Sequence, residues 1–142
     1  MNGRLVTLNG LNPHSQECWP SLGHYIGTMG VLVRIEEDHG EGHKNNYVVQ
    51  FDPSPSMPRE DAIDREWYVE QNELTFIALV PGTHAMFRVN EDEVPKLVAI
   101  TAFSDVTEER PYRVYSFIVM AGGIEFNDMP EQFLRPYPYS QF

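Results

Sequence analysis

"VEQNEL" (residues 69–74) returns later in the chain as "MPEQFL" (129–134). Laid together without gaps, the two segments set Leu74 on Leu134. Each follows an aromatic-bearing run, "EWYV" (66–69) in the first case and "IEFNDM" (124–129) in the second. A looser echo joins "NNYVVQFDP" (45–53) to "RPYRVYSFIV" (110–119). Aligning Tyr47 with Tyr112 also brings Val49 onto Val114, but it sets Phe51 against Ser116 instead of Phe117. Successive strand residues point to opposite faces, so a one-residue offset moves a side chain from core to solvent. The sequence therefore poses one question, whether the chain is one continuous β domain or one small fold used twice. The two echoes favour the second.

A chain of 142 residues fits one ordinary domain or two very small ones. Its eight Phe, seven Tyr and two Trp suit pleated, half-buried surfaces. Eleven Pro and ten Gly exclude long helices. Strands are expected in "RLVTLNGL" (4–11), "GTMGVLVRIEED" (27–38), "YVVQF" (47–51), through Trp67–Val69, and in a last short run before Ile77. "NPHSQECWPSLGHYIG" (12–27) reads as a loop with Trp19 and Tyr25 turned inward, and "HGEGHKNN" (39–46) as a turn. "DPSPSMPREDAIDRE" (52–66) reads as an exposed loop with a helical turn near residues 59–64. The second half repeats the order after a joint at "LVPGTH" (79–84), with strands in "AMFRV", "KLVAITAF", "PYRVYSFIVM" and "IEFNDM". Many short strands with Gly and Pro turns point to small barrels. The expected fold is all-β, two tandem small barrels over residues 1–78 and 79–142, the second carrying an extended aromatic C-terminal tail. The alternative is one continuous β domain with a β extension.

The stretch "GTMGVLVRI" (27–35) resembles the Gly-x-x-Gly-x-Val-x-x-Ile pattern of KOW and related SH3-like barrels. Gly27, Gly30 and Ile35 hold the pattern, with Leu32 at the valine position. The resemblance implies a binding module, since KOW, Tudor and chromo-like barrels bind peptides, modified side chains, RNA or larger assemblies. Around the motif Glu36, Glu37, Asp38 and Glu41 outnumber Arg34 and Lys44, so a protein partner is expected rather than nucleic acid. In Tudor-like barrels, rings at strand and loop ends form a cage for a cation. Tyr47, Trp67 and Tyr68 are the corresponding binding candidates, with Tyr25 and Phe51 nearby. Small barrels also need large side chains inside. Trp67 and Tyr68 are neighbours on one strand and face opposite ways, so one of them belongs outside.

The formal net charge is −11, and no basic stripe of the kind that tracks phosphate backbones is visible. The acidic runs Glu36, Glu37 and Asp38, then Glu91, Asp92 and Glu93, then Glu108 and Glu109 fall at strand ends or turns. A second functional reading follows: carboxylates at phosphate-like spacing imitate nucleic acid and occupy a basic groove on a partner protein, as small acidic phage inhibitors do. Cys18 is the only cysteine, which excludes an internal disulfide and fits a reducing compartment. The N-terminus lacks a signal-peptide pattern, and no apolar run approaches the roughly 20 residues a bilayer crossing needs. A cytoplasmic protein without cofactor or bound metal is expected, of undetermined oligomeric state. A G-x-S-x-G elbow, a P-loop and a dinucleotide fingerprint are all missing. A third class, a small hydrolase or metal-dependent enzyme, would draw on His14, Cys18 and His39. His39 and His43 flank Glu41 at a spacing that suits zinc on a helix, but the glycines between them oppose a helix.

Overall fold

A computed structural model describes residues 2–36, 46–56, 66–139 and 142. The expectations on Glu37, Asp38, His39, Glu41 and His43, and on a helical turn near 59–64, lie outside the described residues. The chain divides into two compact units, Met1–Ile77 and Ala78–Ser140 together with Phe142. The first contains β1 (Arg4–Leu8), a helix α1 (Pro13–Cys18), a 3-10 turn (Pro20–Tyr25), β2 (Met29–Ile35), β3 (Tyr47–Phe51), β4 (Glu66–Val69), a 3-10 turn (Gln71–Glu73) and β5 (Leu74–Phe76). The second contains β6 (His84–Phe87), β7 (Lys96–Ser104), β8 (Val114–Val119), β9 (Glu125–Pro130), a 3-10 turn (Glu131–Phe133) and β10 (Leu134–Pro136). The protein is all-β: among the described residues few are helical and every strand pair is antiparallel.

The two sheets have the same strand order, β4-β3-β2-β1-β5 and β9-β8-β7-β6-β10. Their registers match as well. Leu8 pairs with Leu74 as Phe87 pairs with Leu134, and Val6 pairs with Gly30 as Ala85 pairs with Val98. Leu32 pairs with Val49 as Ile100 pairs with Phe117. A β-bulge then follows in both, between Leu32 and Arg34 in β2 and between Ile100 and Ala102 in β7. Beyond it Tyr47 pairs with Val69 and Tyr115 with Met129. The leucine match read from sequence is therefore a structural match. The looser echo is displaced: Tyr47 corresponds to Tyr115 and not to Tyr112, and Phe51 corresponds to Val119. A second bulge, between Tyr115 and Phe117 against β9, gives β9 a residue that β4 lacks.

Each sheet must curl strongly. Val69 stands level with Ile35 on β2, through Tyr47, while Leu74 stands level with Thr28, through Leu8. In a flat sheet those points would be four strand spacings and about six residue rises apart, about 28 Å at ~4.8 Å and ~3.3 Å each. The five-residue step from Val69 to Leu74 reaches about 18 Å even fully extended. Only a coiled sheet lets the 3-10 turn bridge β4 and β5, and the same geometry holds from Met129 to Leu134. Neither sheet is a closed barrel: among the described residues β4 does not pair with β5, nor β9 with β10.

The concave face of each sheet is filled. In the first unit Val6, Leu8, Leu32, Val49, Phe51, Val69 and Leu74 form one core with Leu22 and Tyr25 from the β1–β2 connection. Tyr25 stacks on Phe51, with ring centroids 5.1 Å apart. In the second unit Phe87, Phe117 and Phe126 form a ring cluster with centroid separations of 4.7–5.4 Å. Leu79 belongs to this second core and donates its N–H to the buried Tyr115 hydroxyl at 3.0 Å. The segment expected to be a loop, residues 12–27, instead holds α1 and a 3-10 turn. Pro13 and Pro20 each open one of these short helices, where a missing N–H costs nothing.

Candidate functional site

β3 and β4 present two faces. On the inner one, Tyr47 and Trp67 pack against the first core, and the Trp67 indole Nε1 is buried with no acceptor among the described residues. On the outer one stands Tyr68, 37% exposed. Across the sheet Arg34, Val48 and Tyr68 form one row. Arg34 reaches that row because of the bulge in β2: the extra residue resets the alternation and aims a residue that would have turned inward toward solvent.

A polar cluster results. Arg34 Nε donates to Glu36 Oε1 at 2.8 Å, and Arg34 Nη2 lies 3.4 Å from the Tyr68 hydroxyl. The Tyr68 hydroxyl donates to the same Glu36 oxygen at 3.2 Å, and Glu66 Oε1 lies 3.6 Å from Arg34 Nη1. Hydrogen bonding to Glu36 first and to Tyr68 second raises the Arg34 pKa above its ordinary value, so the group stays cationic. The cluster thus offers an aromatic ring edge, a fixed guanidinium and two carboxylates with a net charge of −1, on a face whose hydrogen-bond geometry is already set. Of the sequence-predicted binding residues, Tyr68 and Glu36 are brought together here, while Tyr47 and Trp67 are spent on packing. Glu37 and Asp38 lie outside the described residues.

Glu91, Asp92 and Glu93 occupy the exposed β6–β7 connection of the second unit. Asn90 Nδ2 donates to Glu93 Oε1 at 2.8 Å, and Arg88 Nη1 donates to the Glu91 carbonyl at 2.9 Å. The run is a turn held by its own neighbours, with its carboxylates at the surface.

The pair named for nucleophilic chemistry has poor geometry for it. Cys18 Sγ lies 3.7 Å from His14 Nδ1 and 3.8 Å from Nε2. A directed S–H···N bond favours one nitrogen, whereas near-equal distances put the sulfur beside the ring without aiming at either lone pair. Both residues are exposed on α1, and the His14 ring meets Trp19 edge-on at 5.6 Å. Among the described residues no three His, Cys, Asp or Glu side chains gather as a metal site requires. No described helix is long and apolar enough to cross a membrane.

Sequence reasoning missed two residues, both buried glutamates in the 3-10 turns. Glu73, 2% exposed, accepts from the Asn12 N–H at 2.7 Å, the Ser15 hydroxyl at 3.1 Å and the Glu70 N–H at 2.8 Å. Its carboxylate thus ties the N-cap residue and first turn of α1 to the 3-10 turn before β5, while Asn12 makes no side-chain cap of its own. Asn12 is itself held by Glu70 and Asn72. Glu131, fully buried, accepts the Arg113 N–H at 2.5 Å and returns its own N–H to the Arg113 carbonyl at 3.1 Å. Nothing in the sequence separates these two from the other acids.

No protein-family model, curated protein or solved structure matches the chain. The outer-face cluster of β2–β4 stands out by its own chemistry. It holds groups suited to recognition: an exposed ring edge, a guanidinium and two carboxylates.

Proposed function

We propose that this chain is a non-enzymatic protein-binding module built from two SH3-like small barrels. The tight curl of each five-stranded sheet and the 3-10 turn before its last strand support the small-barrel reading. The observation that carries the binding reading is the outward cluster of Tyr68, Arg34 and Glu36, with Glu66, on a sheet whose inner face is already filled by Tyr47, Trp67 and the core. Tyr and Arg are the residue types that concentrate binding energy at protein interfaces, and this pair is held in place before a partner arrives. Its acidic balance favours a partner that presents a lysine or arginine beside an apolar patch.

The second reading, an acidic decoy for a basic nucleic-acid-binding protein, draws on the exposed Glu91–Asp92–Glu93 turn and the net charge of −11. One experiment separates the two. A partner captured by the wild-type protein is titrated against Tyr68→Ala and against the combined Glu91→Gln, Asp92→Asn and Glu93→Gln variant, at low and high salt. The binding-module reading expects Tyr68→Ala to weaken the complex about tenfold, with affinity largely kept at high salt. Loss in the triple variant alone, together with collapse at high salt and displacement by DNA, would replace it with the decoy.

A further inference from the structure

Matching the two sheets by register places Arg88 of the second unit on Asn9 of the first, and Arg135 on Thr75. The backbone confirms the correspondence: the Asn9 N–H donates to the Glu73 carbonyl at 2.8 Å, and the Arg88 N–H donates to the Phe133 carbonyl at 3.2 Å. In the first unit these positions close on each other, the Thr75 hydroxyl donating to Asn9 Oδ1 at 2.8 Å. In the second unit they carry two guanidiniums of like charge, which cannot bond to one another. Both instead turn to the same ring. The Cζ atoms of Arg88 and Arg135 each lie 4.5 Å from the centroid of Phe142.

Backbone carbonyls hold the two arginines in position. Arg88 Nη1 donates to the Glu91 carbonyl at 2.9 Å. Arg135 Nη1 donates to the carbonyls of Gln132 and Leu134, both at 2.8 Å. Arg135 is only 3% exposed, so this cation is out of water, where attraction to the face of a ring is strongest. Among the described residues, the other arginine–ring contacts, Arg4 on Phe76 and Arg113 on Phe103, each join one cation to a ring on a strand of its own unit. Here two cations converge on a ring that arrives from beyond the last strand.

We infer that Arg88 and Arg135 form a receptor for an aromatic side chain, occupied in this structure by the chain's own Phe142. When Phe142 leaves, the same receptor takes the equivalent ring from a second copy of this tail segment. The site lies in the second unit and is independent of the Tyr68 cluster.

The test uses the full chain and a fluorescently labelled peptide of residues 136–142, followed by anisotropy. The peptide is expected to bind the Phe142→Ala protein at least about tenfold more tightly than the wild type, whose receptor is filled. A peptide carrying the same Phe142→Ala change is expected to lose about tenfold, as is Arg88→Gln in the Phe142→Ala background. Should Phe142→Ala fold poorly, Phe142→Leu keeps apolar bulk without the ring face and is expected to accept the peptide likewise. Equal binding to wild type and variant, no binding to either variant, or indifference to Arg88→Gln would each overturn the inference.

Discussion

Asn9 and Thr75 share a hydrogen bond, whereas Arg88 and Arg135, on the same two rungs of the other sheet, share a phenyl ring. The contrast recurs along the ladders. Gly30 on β2 answers to Val98 on β7, and Arg34 beyond the bulge in β2 answers to Ala102 beyond the bulge in β7. The 3-10 turn before the last strand of each sheet buries a glutamate, but Glu73 is the last residue of its turn and Glu131 the first. Glu73 faces the long β1–β2 connection, and Glu131 the end of the β7–β8 connection. Strand order, register and the bulge are common to the two units, while the chemistry is placed rung by rung on top of them. The chain illustrates within itself that sites are grafted on folds.

The largest effects are expected at the two cores. Phe51→Ala and Phe117→Ala are each expected to cost about 3–5 kcal/mol. Both tryptophans, Trp19 and Trp67, belong to the first unit, so indole fluorescence reports that unit alone. Phe117→Ala should lower the unfolding transition seen by circular dichroism and leave the fluorescence transition in place. A fluorescence midpoint that falls equally would mean the two cores melt as one.

A smaller effect sharpens the match of Gly30 with Val98. A Cβ at Gly30 would lie 2.7 Å from the Gln50 carbonyl oxygen and 2.9 Å from Val49 Cγ1, so Gly30→Val is expected to destabilise the first unit by about 3 kcal/mol. Urea unfolding followed by indole emission measures it, and a change below about 1 kcal/mol would show that the strand pair can spread. Next come the glutamates. Glu73→Ala removes the acceptor of the Asn12 and Glu70 N–H groups, for an expected loss of about 3 kcal/mol, and Glu131→Ala removes the acceptor of the Arg113 N–H, for a loss of at least about 1–2 kcal/mol. Denaturant melts measure both, and no loss in either variant would show that water replaces the buried carboxylate. The smallest effect belongs to the surface cluster, where Arg34→Ala should change stability by less than about 0.5 kcal/mol. A larger loss would make the cluster a structural element of the first sheet and weaken its reading as a recognition surface.

Much of the architecture was legible because strand alternation is a local signal. "RLVTL", "YVVQF", "KLVAITAF" and the leucine echo at Leu74 and Leu134 all fall in strands. The echo at Tyr47 was misplaced onto Tyr112 because two bulges and unequal connections shift the register, and bulges leave no fixed mark in a sequence. The opposite facing of Trp67 and Tyr68 followed from parity alone, but which ring would be inside depended on Tyr25, delivered from the β1–β2 connection. Arg34 was not singled out, since only the bulge turns it to the outer face. Glu73 and Glu131 were invisible among 21 acids, because what distinguishes them is a set of backbone donors brought near by folding.

The last strand of each sheet is three residues long, and this shortness governs how molecules meet at high concentration. A border of β structure normally offers a template on which another chain extends the sheet. Here Leu74–Phe76 and Leu134–Pro136 present too few free amides to seed such growth, and Pro136 contributes none. On the opposite border β9 is interrupted by Asp128, with φ of 53°, and ends at Pro130, which also lacks an amide hydrogen. At these three margins the geometry disfavours sheet extension, and the net charge of −11 adds mutual repulsion between molecules.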